Sequence, residues 1–252
     1  MFYIHLLTWG DIKQDVSSPR LLYHQHEGSD MKLTDDLYAY PWTSMFENNC
    51  NSYLIGGEVM ALVDPGLLAH FTELSRSMAR DGLDTDNIKH VILTHCHPDH
   101  FEAVERFIKS DDVTIYMSAE EAAFMEEIGK EFFPAFGLSV PEYRIDVFLE
   151  DGEIEIGGEI FQVLITPGHS PGSACIYWPR EKALFSGDVA FSQNVGRTDF
   201  PGGSGELLKE SIEEISKLDV EYLLPGHMEV VVGKGNVEEN FGLIKRGIFP
   251  YI

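Results

Sequence analysis

Residues 91–100 read VILTHCHPDH, which sets three histidines and an aspartate within six positions behind an apolar, β-branched run. His95, His97 and His100 repel one another if protonated, and none sits well in a core without a partner. His95 and His97 are two apart, so on an extended segment they face the same side. Pro98 suits the first position of a helix, whose first turn then brings Asp99 and His100 round. One short segment therefore aims three imidazoles and a carboxylate toward one point. That donor set suits zinc, iron or manganese. A divalent cation also removes the repulsion, because it holds the imidazoles unprotonated.

Further donors occupy turns of the same kind. His169 lies in ITPGHSPGS, Asp188 in ALFSGDVAF and His227 in YLLPGH, each where glycine or proline punctuates the end of an apolar strand. Loops held by a rigid sheet are where sites are built. These donors exceed the needs of one cation, and a second would use the surplus, with Asp188 free to bridge. The remaining histidines (His5, His24, His26, His70 and His90) read as ordinary hydrogen-bonding residues.

The elements that must position these turns follow from periodicity. MKLTDDLYAYPW (31–42) alternates like one strand, and NSYLI and VMALVD form a hairpin across GGE. LLAHFTELSRSMARDG is helix-like, with Gly82 as its terminator. IKHVILT is a short buried strand, and residues 98–110 keep apolar residues at helical spacing (Phe101, Val104, Phe107, Ile108). VTIYM is a strand, followed by a helix from Ser118 with Glu121 three positions later, a capping box. The second half opens with strands around IDVFL, EIEI, EIFQVLIT, ACIYW and KALFSGD. ELLKESIEEISKL is an amphipathic helix, EYLLPGH a strand and NVEENFGLIKR a closing helix. Two halves of strands with helices alongside fit packed sheets with helices outside, an α/β layered sandwich.

Composition bounds the partners. The formal charge of −24 disfavours nucleic acid and anionic membrane surfaces and leaves a small-molecule substrate as the expected partner. Cys50, Cys96 and Cys175 are dispersed and odd in number, which is no disulfide framework and points to a reducing compartment. No apolar run reaches membrane-spanning length, and MFYIHLLTWGDIKQD does not read as a signal peptide, so the cytoplasm is the expected location. Residues 1–30 lack clear period and read as an N-terminal extension to a domain of residues 31–252. They are either an arm covering a neighbouring subunit of a homo-oligomer or an upstream segment ahead of a functional start at Met31.

HCHPDH resembles the H-x-H-x-D-H signature of the metallo-β-lactamase superfamily, with His169, Asp188 and His227 where its remaining ligands fall. The resemblance runs from about Met31 to the C-terminus and implies a four-layered αββα sandwich, the metallo-β-lactamase fold, with metals at one edge. It implies one metal on His95, His97 and His169, a second on Asp99, His100 and His227, and Asp188 between them. Asp64 in ALVDPG matches the early aspartate that supports the metal loop from behind; as a residue alone it reads equally as a turn residue before Pro65. TPGHSPGS and SGDVAFSQNVGRTDFPGG look like the hydroxyacylglutathione hydrolase (glyoxalase II) and persulfide dioxygenase branches.

The expected reaction is thioester hydrolysis. A metal pair, most simply zinc with iron or manganese as alternatives, lowers the pKa of bound water toward about 7 and polarises a carbonyl. An amide leaving group needs an acid that is not recognisable here, whereas a thiol pKa of about 8.5 lets a thiolate leave unaided. Asp99 is expected to orient the attacking hydroxide. Only residues 228–252 follow His227, so the C-terminal domain of long hydroxyacylglutathione hydrolases is expected to be missing, which leaves glutathione specificity open. Arg197 in VGRTDF either binds a substrate carboxylate or pairs with an acidic neighbour. EFFPAFGLSVP (131–141) either covers the site, favouring an apolar acyl group, or packs as a core loop, and Cys96 points away as packing. The rival reading is a persulfide dioxygenase holding one iron on His95, His169 and Asp188, which shares GRTDF. A purely structural metal is disfavoured, because such sites close with four ligands and seven candidates are present.

Overall fold

The computed structural model describes residues 31–44 and 46–252. The expectations for residues 1–30 lie outside the described residues. Seven strands form one sheet in chain order: β1 (Met31–Lys32), β2 (Leu37–Tyr40), β3 (Ser52–Ile55), β4 (Ala61–Val63), β5 (His90–Ile92), β6 (Thr114–Ser118) and β7 (Val147–Leu149). A second sheet takes β8 (Gly152–Ile156), β9 (Glu159–Ile165), β10 (Ala174–Trp178), β11 (Ala183–Gly187), β12 (Tyr222–Pro225) and β13 (Val231–Val232), again with chain neighbours paired. The helices are α1 (Phe71–Arg80), α2 (Pro98–Phe101), α3 (Ala119–Glu127), α4 (Phe132–Ala135), α5 (Gly205–Ile215) and α6 (Lys234–Gly247).

Alternation along the strands builds three apolar layers. Leu54, Leu62, Val91 and Ile115 face one way and pack with Met78 of α1, Phe101 of α2 and Met125 of α3. Their neighbours Tyr53, Val63 and Ile92 face the other way and meet Phe161, Ile176, Trp178 and Phe185 of the second sheet. The outer face of that sheet, with Leu164, Leu184 and Leu223, packs on Leu208 and Ile212 of α5 and on Phe241 and Ile244 of α6. The result is helix, sheet, sheet, helix, the expected αββα sandwich. Central strands buried on both faces read as apolar runs rather than strict alternations.

Two local expectations need correction. Residues 31–42 do not form one strand; β1 and β2 pair antiparallel across a turn in which Leu33 N–H bonds Leu37 O (2.8 Å). The polar Thr34-Asp35-Asp36 segment supplies that turn, with Asp36 N–H on Thr34 Oγ1 (3.4 Å). The helix expected over 98–110 is one α turn followed by a 3-10 segment, Glu102–Arg106. Its ladder is diverted, since Ala103 N–H bonds Gly66 O (2.8 Å) rather than the preceding turn. The short edge strand β13 carried no signal strong enough to be read. Gly82 does end α1: it takes a left-handed φ of 78°, and Leu83 N–H closes on Met78 O (3.0 Å).

Topology explains why the donors meet. β4, β5 and β6 run parallel, as do β11 and β12, and β9 runs in the β11 direction because both are antiparallel to β10. The turns after β5, β9, β11 and β12 therefore open at ends of strands pointing the same way within each sheet. A bond from Ala174 N–H to Thr94 O (2.9 Å) joins the sheets at that edge. Among the described residues no helix is long and apolar enough to cross a membrane.

Candidate metal centre

The turn after β5 leads through Thr94 to His95 and His97, and α2 begins at Pro98 with His97 as its cap. His169 follows β9, Asp188 follows β11 and His227 follows β12. Their rings and carboxylates converge. His97 Nδ1 and His169 Nε2 are 2.8 Å apart, and the His95 ring centroid lies 4.8 Å from His97 and 4.9 Å from His169. His100 Nε2 lies 3.3 Å from His227 Nε2 and 3.2 Å from Asp188 Oδ1. Asp188 Oδ2 sits 3.4 Å from both His169 Nε2 and His227 Nε2, between the two groups. His227 Nε2 also approaches Asp99 Oδ2 to 3.3 Å.

Donor atoms within 4.8 Å of one another fall into three overlapping sets: His95, His97 and His169; His95, His100 and Asp188; Asp99, His100 and His227. All seven expected ligand residues are therefore brought together: two of the sets are those that the resemblance implies, and the third places Asp188 with His95 and His100, one residue from each. Gly226 makes the closure sterically possible: a Cβ there would lie 2.3 Å from Asp188 Oδ1.

The residues behind the cluster fix which nitrogen each ring presents. His169 Nδ1 bonds the Arg197 carbonyl (2.8 Å), so it carries the proton and leaves Nε2 as the free lone pair. His95 Nδ1 lies 3.0 Å from Thr94 Oγ1, and His100 Nδ1 lies 2.9 Å from Asp64 Oδ2. His95 Nε2, His97 Nε2 and Asp188 Oδ1 are buried with no hydrogen bond of good geometry. Buried polar atoms without partners are costly. A cation is what the lone pairs of His95 Nε2 and Asp188 Oδ1 fit, and the donor set of imidazoles and carboxylates agrees; His97 meets that set through Nδ1, not Nε2.

Electrostatics point the same way. Burial, and then the like charges of His100, His97 and His169, hold His95 well below the usual imidazole range. His97 is pushed down to about 3, by burial first and His169 next. Both are therefore neutral, the form that ligates. Burial opposes the ionised form of Asp188, yet the charges of His227, His100 and His169 outweigh it and hold this carboxyl well below its ordinary range. His227 is the converse: burial lowers it, but Asp188 prevails and raises it to about 10. Such opposed shifts within one cluster mark a functional site rather than a packed core. The His227 and Asp99 side chains keep 26% and 14% of their surface exposed, so solvent reaches the second group.

Asp64 lies behind the ligands, as the resemblance implies: Oδ1 accepts from Thr94 N–H (2.8 Å) and Oδ2 from Thr94 Oγ1 (2.7 Å). The Arg197 side chain is not aimed at the cluster. It forms a two-pronged pair with Asp199 (2.8 and 2.6 Å) and lies over the Phe200 ring at 3.9 Å. The 131–141 segment divides its roles. Phe132 packs edge-on to His97 (4.9 Å), Phe133 is core, and Phe136 is 54% exposed. Cys96 is buried packing, as expected.

Several contributors carried no sequence signal. Asn48 Nδ2 donates to Asp99 Oδ2 (2.9 Å). Asn51, 1% exposed, donates from Nδ2 to the carbonyls of Pro225 (3.0 Å) and Met228 (2.8 Å), pinning the turn that bears His227. Burial distinguishes Asn51 from the surface residue its type suggests, whereas Asn48 is exposed and only its bond to Asp99 marks it.

Residues 45–227 match the metallo-beta-lactamase superfamily. The chain belongs to this superfamily. Among its relatives, the probable metallo-hydrolase YqgX of Bacillus subtilis (strain 168) is 34% identical over 185 residues, 73% of this chain and 83% of that protein. The hydroxyacylglutathione hydrolase GloC of Haemophilus influenzae is 34% identical over 199 residues, 76% of this chain and 86% of that protein. In structure the chain is similar to TTHA1623 in a di-iron-bound form, with a TM-score of 0.64 and 31% identity over 82% of this chain and 97% of that one. The chain is thus a member of a metallo-hydrolase superfamily whose fold and metal-binding cluster it carries.

Proposed function

We propose that this chain hydrolyses an acyl-thioester of a small molecule at the His/Asp cluster, with two divalent cations as cofactors. One observation carries the reading: Asp188 Oδ2 stands 3.4 Å from both His169 Nε2 and His227 Nε2, between two sets of three donors, and the Asp99 and His227 side of the cluster is open to solvent. His95, His97 and His169 would hold one ion, and Asp99, His100 and His227 the other. The ions, when bound, supply water activation at neutral pH and polarisation of a carbonyl.

The chain's own residues do the rest. Thr94, Asp64 and the Arg197 carbonyl orient the imidazoles, so that lone pairs rather than N–H bonds face the cluster. Asp99 stands at the exposed side, steadied by Asn48, and is the carboxylate placed to accept a hydrogen bond from an attacking water. Burial works against the Asp99 anion, but the His227 bond and the charges of His100 and His227 outweigh it, so this carboxyl stays ionised. Among the described residues, the hydrogen-bonded partners Thr94, Asp64, Asn48 and the Arg197 carbonyl include no group suited to protonate an amine leaving group. A thiolate does not need one.

Phe132 packs against His97, Phe200 against Phe132 (5.8 Å) and Phe136 against Phe200 (6.4 Å), a run of rings from the ligands to the surface. Such a wall favours an apolar acyl group. The likeness to a hydroxyacylglutathione hydrolase supports the thioester class. Three buried free thiols fit a reducing, cytoplasmic setting.

Elemental analysis of the purified protein, beside thioester and persulfide assays, tests the proposal. About two metal ions per chain and release of free thiol from an acyl-thioester are expected. One iron per chain with O₂ uptake on a persulfide would overturn it in favour of the oxygenase reading on His95, His169 and Asp188.

A further inference from the structure

Glu121 of α3 has no exposed surface and belongs to none of the donor sets. Its carboxylate accepts three hydrogen bonds. Oε1 takes the Cys96 N–H (3.0 Å), while Oε2 takes the Gly172 N–H (2.8 Å) and the Ser170 hydroxyl (2.8 Å). Cys96 stands between His95 and His97, and Ser170 follows His169. A single buried carboxylate therefore grips both loops of the three-histidine set.

The surroundings leave that carboxylate little freedom. Ser118 Oγ accepts the Glu121 N–H (3.1 Å) and donates to the Gly172 carbonyl (2.5 Å), so Gly172 is held on both sides. A Cβ on Gly172 would come within 2.2 Å of Glu121 N, so this approach requires glycine. Only half of the capping box forms, because the glutamate is turned into the site instead of back to Ser118. Removing its acceptors would leave buried N–H groups of Cys96 and Gly172 unsatisfied. The Asp99, His100 and His227 set is braced by different residues, Asn48, Asp64 and Asn51.

We infer that Glu121 is a positioning residue that sets the spacing of His97 and His169, and with it the affinity of the three-histidine set alone. The inference rests on reading the cluster as a metal centre. Loss of an outer partner of ligating residues typically costs 10–100-fold in metal affinity. Here that cost falls on one ion of two.

The experiment compares native protein with Glu121→Gln and Ser170→Ala. Glutamine keeps the volume but puts an NH₂ where one backbone N–H needs an acceptor. Ser170→Ala removes one donor and leaves both backbone bonds, a milder change that remains informative where Glu121→Gln does not fold. Two measurements are made: ring-to-ring nuclear Overhauser contacts between His97 and His169 in metal-free protein, and Zn²⁺ titration against a chromophoric chelator. The expected result for Glu121→Gln is a weakened His97–His169 contact and one zinc equivalent bound about 10–100-fold more weakly, with the other equivalent unchanged. Ser170→Ala shifts the same two readouts in the same direction by less. Unchanged contacts and affinities, or equal weakening of both equivalents, would overturn the inference. Native protein that takes up no zinc would instead overturn the proposed function, and the metal-free ring contact would still decide the positioning role.

Discussion

Asp64 Oδ2 lies 2.9 Å from His100 Nδ1, and both side chains are almost wholly buried. The same carboxylate holds Thr94 through backbone and hydroxyl, so one residue at the end of β4 fixes the start of the ligand turn and the face that His100 presents. Asp64 does this from a left-handed backbone, φ 50°, which asparagine also tolerates. Asp64→Asn therefore keeps the turn and changes the chemistry. One amide oxygen cannot serve Thr94 and His100 together, and an amide N–H facing His100 Nδ1 moves the ring proton to Nε2, toward the cluster. Metal affinity is expected to fall about 10–100-fold and stability by about 1–3 kcal/mol. Chelator competition and denaturant melts measure the two, and undiminished metal affinity would show that Asp64 serves only the turn.

Metal uptake should release protons at pH 8. His227, raised to about 10 chiefly because Asp188 outweighs its burial, is protonated there in metal-free protein and must lose that proton to ligate. Calorimetric titration in buffers of different ionisation enthalpy reads the proton count directly, and a count of zero would contradict the assignment of His227 as a ligand.

The same groups shape metal-free stability. A raised imidazole contributes stability that is fully present below about 6.5, its unfolded value, and lost as pH rises through the folded value, about 10 for His227. His95 and His97 act oppositely: the unfolded chain takes up protons below about 6.5 that the folded chain refuses, down to about 3 for His97, so stability falls as pH falls. Melting temperatures of chelated protein should peak near pH 6.5 and decline on both sides. A steady rise from pH 6 to 10 would be inconsistent with these environments.

The three thiols should be inert in folded protein. Burial pushes Cys50 up to about 11 and Cys175 up to about 12, and holds Cys96 well above the ordinary thiol range. Little thiolate exists at pH 8, and it is the thiolate that reacts. Mass spectrometry after iodoacetamide treatment should show no alkylation of native protein and modification of all three cysteines in denaturant.

Arg197→Ala separates two uses of one side chain. Its pair with Asp199 is exposed, so stability should change little. If the guanidinium swings from Asp199 to a substrate carboxylate, KM for a carboxylated thioester rises at constant kcat, and KM for a neutral thioester does not. Equal effects on both substrates would remove Arg197 from binding and leave only its backbone carbonyl, which orients His169.

Much of the cluster was legible because its grammar is local. Spacing of two between His95 and His97, a proline that starts a helix, and glycine or proline turns behind apolar strands are properties of short segments. They identified the donors, and the resemblance sorted them into two sets that the geometry brings together. Apolar runs likewise gave the strands. The single strand expected over 31–42 failed because a polar turn can interrupt an alternating pattern without breaking its period.

What the sequence determined by itself was the layered class of fold and which imidazoles and carboxylates are the candidate donors. Tertiary structure alone decided the roles of Asn51, Glu121 and the Arg197 carbonyl. Asn51 acts on residues 174 and 177 positions away, and Glu121 on residues 25, 49 and 51 positions away. A buried polar side chain and an exposed one look alike in sequence, since the difference lies in which distant backbone groups the packed sheets bring within 3 Å of it.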